Sequence, residues 1–204
     1  MSTLIANHEN QLIEDIYQQG FHIIDNFLPS HHCQSLRSTA ETLRSQGQFR
    51  SAKIGRNQHA THNSSVRTDQ ICWVDKQNNA AINAYMMRIT EIKTLLNQSL
   101  FLGLVDFETH FAIYEPGAFY KKHIDQFATT KDRRISCVYY LNETWDESFA
   151  GQLTLFDRND NYLSSINPLG NRFICFSSDL PHEVCQTQKT RYSLTGWIKT
   201  RPLT

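Results

Sequence analysis

The residues that could do chemistry here are a histidine and an aspartate two apart, His123 and Asp125, a second histidine at position 182, and Arg191 nine residues further on. Side chains alternate along a strand, so residues two apart emerge on one face. If the stretch Tyr120-Lys-Lys-His-Ile-Asp125 is extended, His123 and Asp125 point together. A second imidazole from a distant strand would place two nitrogens and a carboxylate on one side of a metal ion. That donor set is typical of non-haem iron(II) centres that keep positions open for a chelating cosubstrate and dioxygen. Four protein ligands would close the site. His-x-Asp by itself is common by chance; Pro181-His182 and Arg191 in later β-like runs give it weight.

Of the nine histidines, His8, His22, His31, His32, His59 and His62 lie in helical, linking or loop stretches with no carboxylate at ligand spacing. His110 falls on a strand, where its simplest reading is packing.

The bulk of the chain restricts the alternatives. Its 204 residues suffice for one domain with a real core, spanning 1–204. Twenty Lys and Arg offset twenty Asp and Glu, so no global field recruits nucleic acid or an anionic membrane. Five cysteines without Cys-x-x-Cys spacing, two of them (Cys137 and Cys175) in apolar strand-like runs, suggest buried thiols in a reducing, cytoplasmic setting. The opening MSTLIANHENQ lacks a basic region followed by an apolar stretch, and no run approaches the roughly 20 apolar residues of a membrane span.

The elements that must position these residues come helices first. Leu12, Ile13, Ile16 and Tyr17 predict a helix over 10–19 that stops at Gly20. Phe21 to Leu28 reads as β. Ser30 is the expected N-cap of a second helix, with Cys33, Leu36, Ala40 and Leu43 on one face and Gly47 as its end. Residues 48–66, with Arg50, Lys53, Arg56, His59 and His62, form a polar loop long enough to suggest a substrate-covering role. Arg67 to Val74 reads as a strand. Asn79 opens a third helix carrying a wide apolar stripe from Ile82 to Leu96. From Val105 the pattern is β, with turns near 115–117, 142–144, 158–161 and 167–170 separating strands near 119–124, 133–142, 152–157, 172–177, 182–187 and 190–199. Helices first and many short strands afterwards predict an α+β fold, with helical support over roughly 1–100 and a double-sheet core over roughly 101–204.

Six stretches between Tyr114 and Trp197 carry a resemblance to a known family. They are Tyr114-Glu-Pro-Gly117, Tyr120-Lys-Lys-His-Ile-Asp125, Cys137-Val-Tyr-Tyr-Leu-Asn142 with Trp145, Gly151-Gln-Leu-Thr-Leu-Phe156, Pro181-His-Glu-Val184 and Thr190-Arg-Tyr-Ser-Leu-Thr-Gly-Trp197. Together with Val66-Arg-Thr-Asp-Gln-Ile-Cys-Trp73, they resemble the 2-oxoglutarate/Fe(II)-dependent dioxygenases, and within them the oxygen-sensing (EGL-Nine-like) prolyl hydroxylases. The resemblance implies a double-stranded β-helix (jelly-roll) core. It implies Fe(II), 2-oxoglutarate and O2 as cofactor and cosubstrates, and admits ascorbate as a reductant. It assigns His123, Asp125 and His182 to the metal, and Arg191 to the distal carboxylate of 2-oxoglutarate, where a planar guanidinium forms two parallel bonds. Tyr140 would donate to that carboxylate and Tyr114 would sit near the chelating end. Val138, Leu153 and Trp197 would wall the pocket, and Thr195 would add a polar contact.

The implied reaction is hydroxylation of a prolyl residue in a protein substrate, releasing succinate and CO2. Arg67, Asp69 and Arg133 match substrate-facing positions, and the expectation is that on substrate binding Asp69 pairs with Arg133, as an exposed pair, to pin the loop base beside the iron. The alternative is an oxygenase of the same kind acting on nucleic acid or a small molecule. Against a nucleic-acid demethylase stand Trp197, where a second arginine would be expected, and the neutral charge balance. A zinc hydrolase could use the same three ligands but has no use for Arg191. A silent binding module would be expected to lack a ligand, and none is missing.

Overall fold

The structure, a computed structural model, describes residues 3–55, 61–74, 79–127 and 129–201. Arg56 and His59 of the polar loop lie outside the described residues.

Helix α1 covers Thr3–Gln18, longer than its apolar periodicity suggested, and buries Leu12 and Ile16. After Gly20, at φ +83, strand β1 follows (Phe21–Ile24). Helix α2 (Ser30–Ser45) buries Cys33, Leu36 and Ala40. Ser30 is not its cap: Pro29 takes that position without a side-chain bond, and its fixed φ of −52 sets the entry instead. At the other end Gly47, at φ +67, lets its own N–H reach the Arg44 carbonyl and that of Gln48 the Leu43 carbonyl, satisfying two orphan acceptors. Helix α3 (Ala80–Leu100) begins as expected at Asn79, whose side chain accepts from the N–H groups of Ala81 and Ile82.

The strands are β2 (Arg50–Ser51), β3 (Gln70–Trp73), β4 (Asp106–Tyr114), β5 (Tyr120–His123), β6 (Arg133–Tyr140), β7 (Leu153–Phe156), β8 (Tyr162–Ile166), β9 (Phe173–Ser177), β10 (His182–Val184) and β11 (Arg191–Lys199). They form a seven-stranded sheet, β1-β9-β6-β11-β4-β3-β2, and a four-stranded sheet, β5-β10-β7-β8, with antiparallel pairing throughout. This is the α+β double-stranded β-helix that the resemblance implied. Three strands of the larger sheet come from the first hundred residues, which therefore supply sheet as well as helical support.

Alternation along β4 and its neighbours divides the interior into two cores. Phe111, Ile113, Tyr139, Phe173 and Leu194 pack with Tyr85, Ile89 and Leu96 of α3. On the opposite face, Ala112, Val138, Ile174 and Phe176 meet Leu153, Leu155 and Val184 of the smaller sheet. Fully burying one such Leu or Ile contributes about 1.5–3 kcal/mol, which holds the helices flat against the sheet. Cys137 and Cys175 sit fully buried and opposite each other on β6 and β9, as free thiols.

Three further readings change. Strand β8 has no distinct pattern of its own, because it is an edge strand with Tyr162 and Leu163 exposed. The regular strand that starts at His182 ends at Val184, and beyond it Thr187 makes only an isolated bridge to Ala150. Regular pairing before Trp73 begins only at Gln70; Arg67 makes an isolated bridge to Tyr120 instead.

Candidate active site

Strands β5 and β10 are neighbours, with His123 and His182 directly opposite in register, so both imidazoles emerge on one face. Their ring centroids lie 4.2 Å apart. Asp125 follows just beyond β5, where its N–H and that of Gln126 both donate to the Ser178 carbonyl, at 3.1 and 2.9 Å. That turns the carboxylate back between the rings: Oδ1 is 3.5 Å from His123 Nε2, and Oδ2 is 3.4 Å from His182 Nε2. One ligand atom from each of the three residues lies within 4.8 Å of the others.

The tautomers suit a metal. His123 Nδ1 faces the Lys121 carbonyl at 2.8 Å and His182 Nδ1 faces the Leu180 carbonyl at 2.9 Å. Each Nδ1 therefore carries the proton, leaving the Nε2 lone pairs directed at the carboxylate. Ser136 Oγ donates to Asp125 Oδ2 at 2.7 Å, and Ser178 Oγ lies 3.0 Å from Ser136 Oγ. Burial opposes charge on Asp125, but the two imidazoles outweigh it and hold its carboxyl well below the usual range. Burial and the neighbouring His182 lower His123, whereas for His182 burial is outweighed by Asp125 and its pKa rises. Two neutral nitrogen donors and one carboxylate, without a thiolate, fit a divalent iron with open positions.

These residues open onto a cavity of about 730 Å³ lined by both sheets. At its inner end lies Arg191, only 1% exposed, opposite Tyr114 in register. Its guanidinium carbon lies 4.8 Å from the Tyr114 ring centroid and 4.9 Å from that of Tyr140. Among the described residues no carboxylate pairs with it. Arg191 Nε, the Tyr140 hydroxyl and the Ser193 hydroxyl are all buried without a hydrogen-bond partner. A buried cation beside two unmet hydroxyls is a costly arrangement unless an anion completes it. A dicarboxylate gripped here by one end fits that need.

The other residues singled out in the sequence fall around this axis. Tyr114, Val138, Leu153, Thr195 and Trp197 line the cavity, while Tyr140 lies fully buried and reaches it through Arg191. Arg67, Asp69 and Arg133 line it as well, and Asp69 and Arg133, expected to pair once substrate binds, are each held by another partner. Asp69, 2% exposed, takes two bonds from Arg67, at 2.7 and 2.6 Å. Arg133 donates twice to Glu108 Oε1, at 3.1 and 2.8 Å, and lies 3.4 Å above the Trp197 ring. Asp69 is taken by Arg67, two residues away in the chain, and Arg133 reaches Glu108 across the intervening strand β11. Arg67 also stacks 4.1 Å over Tyr120, whose ring lies 3.5 Å from that of His123, so the loop base abuts a ligand of the triad.

Val184 and Tyr120 line the cavity too, and Ser193 lies beside Arg191; alternation marks Val184 and Ser193, each two residues after a candidate site residue, while no spacing marks Tyr120. In the sequence His110 reads as packing, whereas this residue lines the cavity beside Trp73 and Trp197.

Comparison with known proteins agrees with this geometry. Residues 109–199 match the family model described as the 2OG-Fe(II) oxygenase superfamily. A crystal structure of a Pseudomonas putida prolyl-4-hydroxylase aligns with TM-score 0.84 and 33% identity, covering 95% of this chain and 99% of that one. A Trichoplax adhaerens prolyl hydroxylase, in complex with a hypoxia-inducible factor oxygen degradation domain peptide, aligns with TM-score 0.84 and 25% identity over 98% of this chain and 94% of that one. The hypoxia-inducible factor prolyl hydroxylase of Caenorhabditis elegans is 30% identical across 95% of this chain, which spans 28% of that protein's length. Prolyl hydroxylase EGLN3 of Mus musculus is 27% identical, over 91% of this chain and 81% of its own. With its iron(II)-type donor set beside a buried arginine, the chain belongs to the 2OG-Fe(II) oxygenases, has prolyl hydroxylases among its relatives, and uses Fe(II), 2-oxoglutarate and O2.

Proposed function

We propose that this chain, as one domain over 1–204, hydroxylates a prolyl residue in a protein substrate and releases succinate and CO2. The observation that carries this reading is the joining, in one cavity, of the His123–Asp125–His182 cluster, an unpaired buried Arg191 and an aromatic wall at the mouth. The prolyl hydroxylase relatives, one of them bound to a peptide, support the choice of substrate class.

His123 Nε2, Asp125 and His182 Nε2 hold the iron. Arg191 and the Tyr140 hydroxyl grip the distal carboxylate of 2-oxoglutarate, and Tyr114 orients its chelating end. Val138, Leu153 and Trp197 exclude water along its length, while Thr195 contributes a hydroxyl. Fe(II), 2-oxoglutarate and O2 held there would supply the oxidising chemistry, in which one oxygen atom goes to succinate as CO2 leaves and the other enters a substrate C–H bond. Ser136 keeps the Asp125 carboxylate in place, and the carbonyls of Lys121 and Leu180 keep the proton on each Nδ1. Arg133, held by Glu108 and stacked on Trp197, and the Arg67–Asp69 pair shape the peptide's entrance.

No helix among the described residues is long and apolar enough to cross a membrane. Five free cysteines support a reducing, cytoplasmic setting. The direct test incubates the protein with Fe(II), 2-oxoglutarate and lysate proteins and searches by mass spectrometry for one added oxygen on proline. A mark on a nucleobase or a free amino acid instead would overturn the reading.

A further inference from the structure

We propose that His110 is a substrate-binding residue whose imidazole N–H donates to an amide carbonyl flanking the target proline. This rests on the prolyl reading above and names what grips the backbone next to the reacting ring.

His110 lies on β4, directly opposite Thr195 of β11 and Trp73 of β3, and Thr195 in turn lies opposite Val138 of β6. A row Val138–Thr195–His110–Trp73 thus crosses the sheet from the cosubstrate end to the mouth, where Trp73 is 54% exposed. With 2-oxoglutarate held as proposed above, it would run from Arg191 towards Asp125, which Ser136 ties to β6. His110 stands to the other side, four residues along β4 from the Tyr114 that faces Arg191, or about 13 Å at strand rise. Its place is between cosubstrate and entrance.

The ring is 3% exposed and packs 5.1 Å from Trp73 and 5.4 Å from Trp197, between centroids. Among the described residues its Nδ1 has no hydrogen-bond partner, and that atom is shut off from water. The Trp197 indole N–H is buried and unmet in the same wall. Burial, reinforced by Arg67 and Arg133, pushes His110 down to about 3, so the ring is neutral and keeps one N–H. Unmet buried donors are costly and persist where a ligand meets them. A prolyl segment suits these donors. Proline has no N–H, while the carbonyls on either side still accept, so a site that reads this backbone must supply donors. His110 and Trp197 do so on the wall that the peptide meets.

The test begins with the wild-type protein, loaded with Fe(II) and 2-oxoglutarate, against a library of peptides each holding one proline. If no member gains an oxygen, the prolyl reading fails and this proposal falls with it. The best substrate is then remade with the carbonyl before, or the carbonyl after, the proline replaced by an alkene. KM and kcat are measured for wild type, His110→Leu and His110→Gln, with 2-oxoglutarate affinity read separately by calorimetry. His110→Leu should raise the peptide KM about three- to tenfold with little change in kcat, and His110→Gln, which keeps an N–H, should recover most of the loss. Against one alkene peptide, wild type and His110→Leu should perform alike. An unchanged peptide KM in His110→Leu overturns the proposal. So does a penalty that persists against both alkene peptides, which makes the ring a packing group, or an equal loss of 2-oxoglutarate affinity, which gives it to the cosubstrate.

Discussion

Replacing Arg191 by Met tests the cosubstrate site most directly, because the structure predicts opposite behaviour with and without ligand. The guanidinium is 1% exposed, and among the described residues its Nε has no hydrogen-bond partner and no carboxylate pairs with it. Exchanging an unpaired buried cation for an apolar side chain of similar length removes a desolvation cost, so the melting temperature should not fall. With 2-oxoglutarate the sign reverses. Wild type at a hundred times its Kd gains about 2.7 kcal/mol, and at about 2–4 °C per kcal/mol for a domain of this size the Tm rises by about 5–10 °C. Truncating one partner of a buried hydrogen-bonded charge pair costs about 2–5 kcal/mol, or roughly thirty- to several-thousand-fold in affinity. At the same ligand concentration the thermal shift should shrink to about 3 °C or less. Arg191→Lys should recover only part of it, since an ammonium lacks the planar fork. The measurements are thermal melts and 2-oxoglutarate titration in the presence of Fe(II) without oxygen. An affinity for Arg191→Met within about threefold of wild type, where the buried pair demands at least thirtyfold, would refute the assignment.

Asp125→Ala removes the anionic ligand between two neutral imidazoles and should abolish binding of one equivalent of Fe(II) by calorimetry; retention of wild-type metal affinity would move the iron elsewhere. Asp69→Ala leaves Arg67 largely buried without its carboxylate, so it should destabilise the fold by about 3–5 kcal/mol, a Tm loss of about 6–20 °C. That is contrary to the mild effect expected of an exposed pair, and an unchanged melt would contradict the buried geometry. Gly196→Ala places a Cβ 2.5 Å from the Glu108 carbonyl oxygen and 2.8 Å from the Phe107 ring. Overpacking of this kind costs about 1–3 kcal/mol, and a melt equal to wild type would mean that β4 and β11 can part to admit a methyl group.

Much of the site was legible because its residues are tied to local periodicity. The His123-x-Asp125 spacing brings both residues to one site, although Asp125 lies past the end of β5 and is turned in by the Ser178 carbonyl. Arg191, Thr195 and Trp197 share a face of β11 by alternation, so pattern and resemblance named them without coordinates. Asn79 as a cap and the stripe of α3 followed from hydrogen-bonding and helical spacing in the same way. What escaped depends on which of several competing neighbours, near or far in the chain, takes each group. Edge strand β8 carries too little buried surface to stand out, and Ser30 resembles a cap until Pro29 is seen to take that position. Asp69 and Arg133 have complementary charges, yet Arg67 two residues away and Glu108 across the sheet satisfy them first.

The sequence by itself determined the donor types, the likeness to the 2-oxoglutarate oxygenases and the alternation that divides each strand between two cores, since these depend on residue identity and on a period of two. Only the tertiary structure decided that β5 and β10 lie side by side with His123 opposite His182, that β1, β2 and β3 complete the larger sheet, and that Tyr140, Ser193 and Arg191 converge with unmet polar atoms. The physical reason is that strand partners are chosen by which apolar faces can be buried together across the whole chain. A hydrogen bond is known to be missing only when every neighbour has been placed.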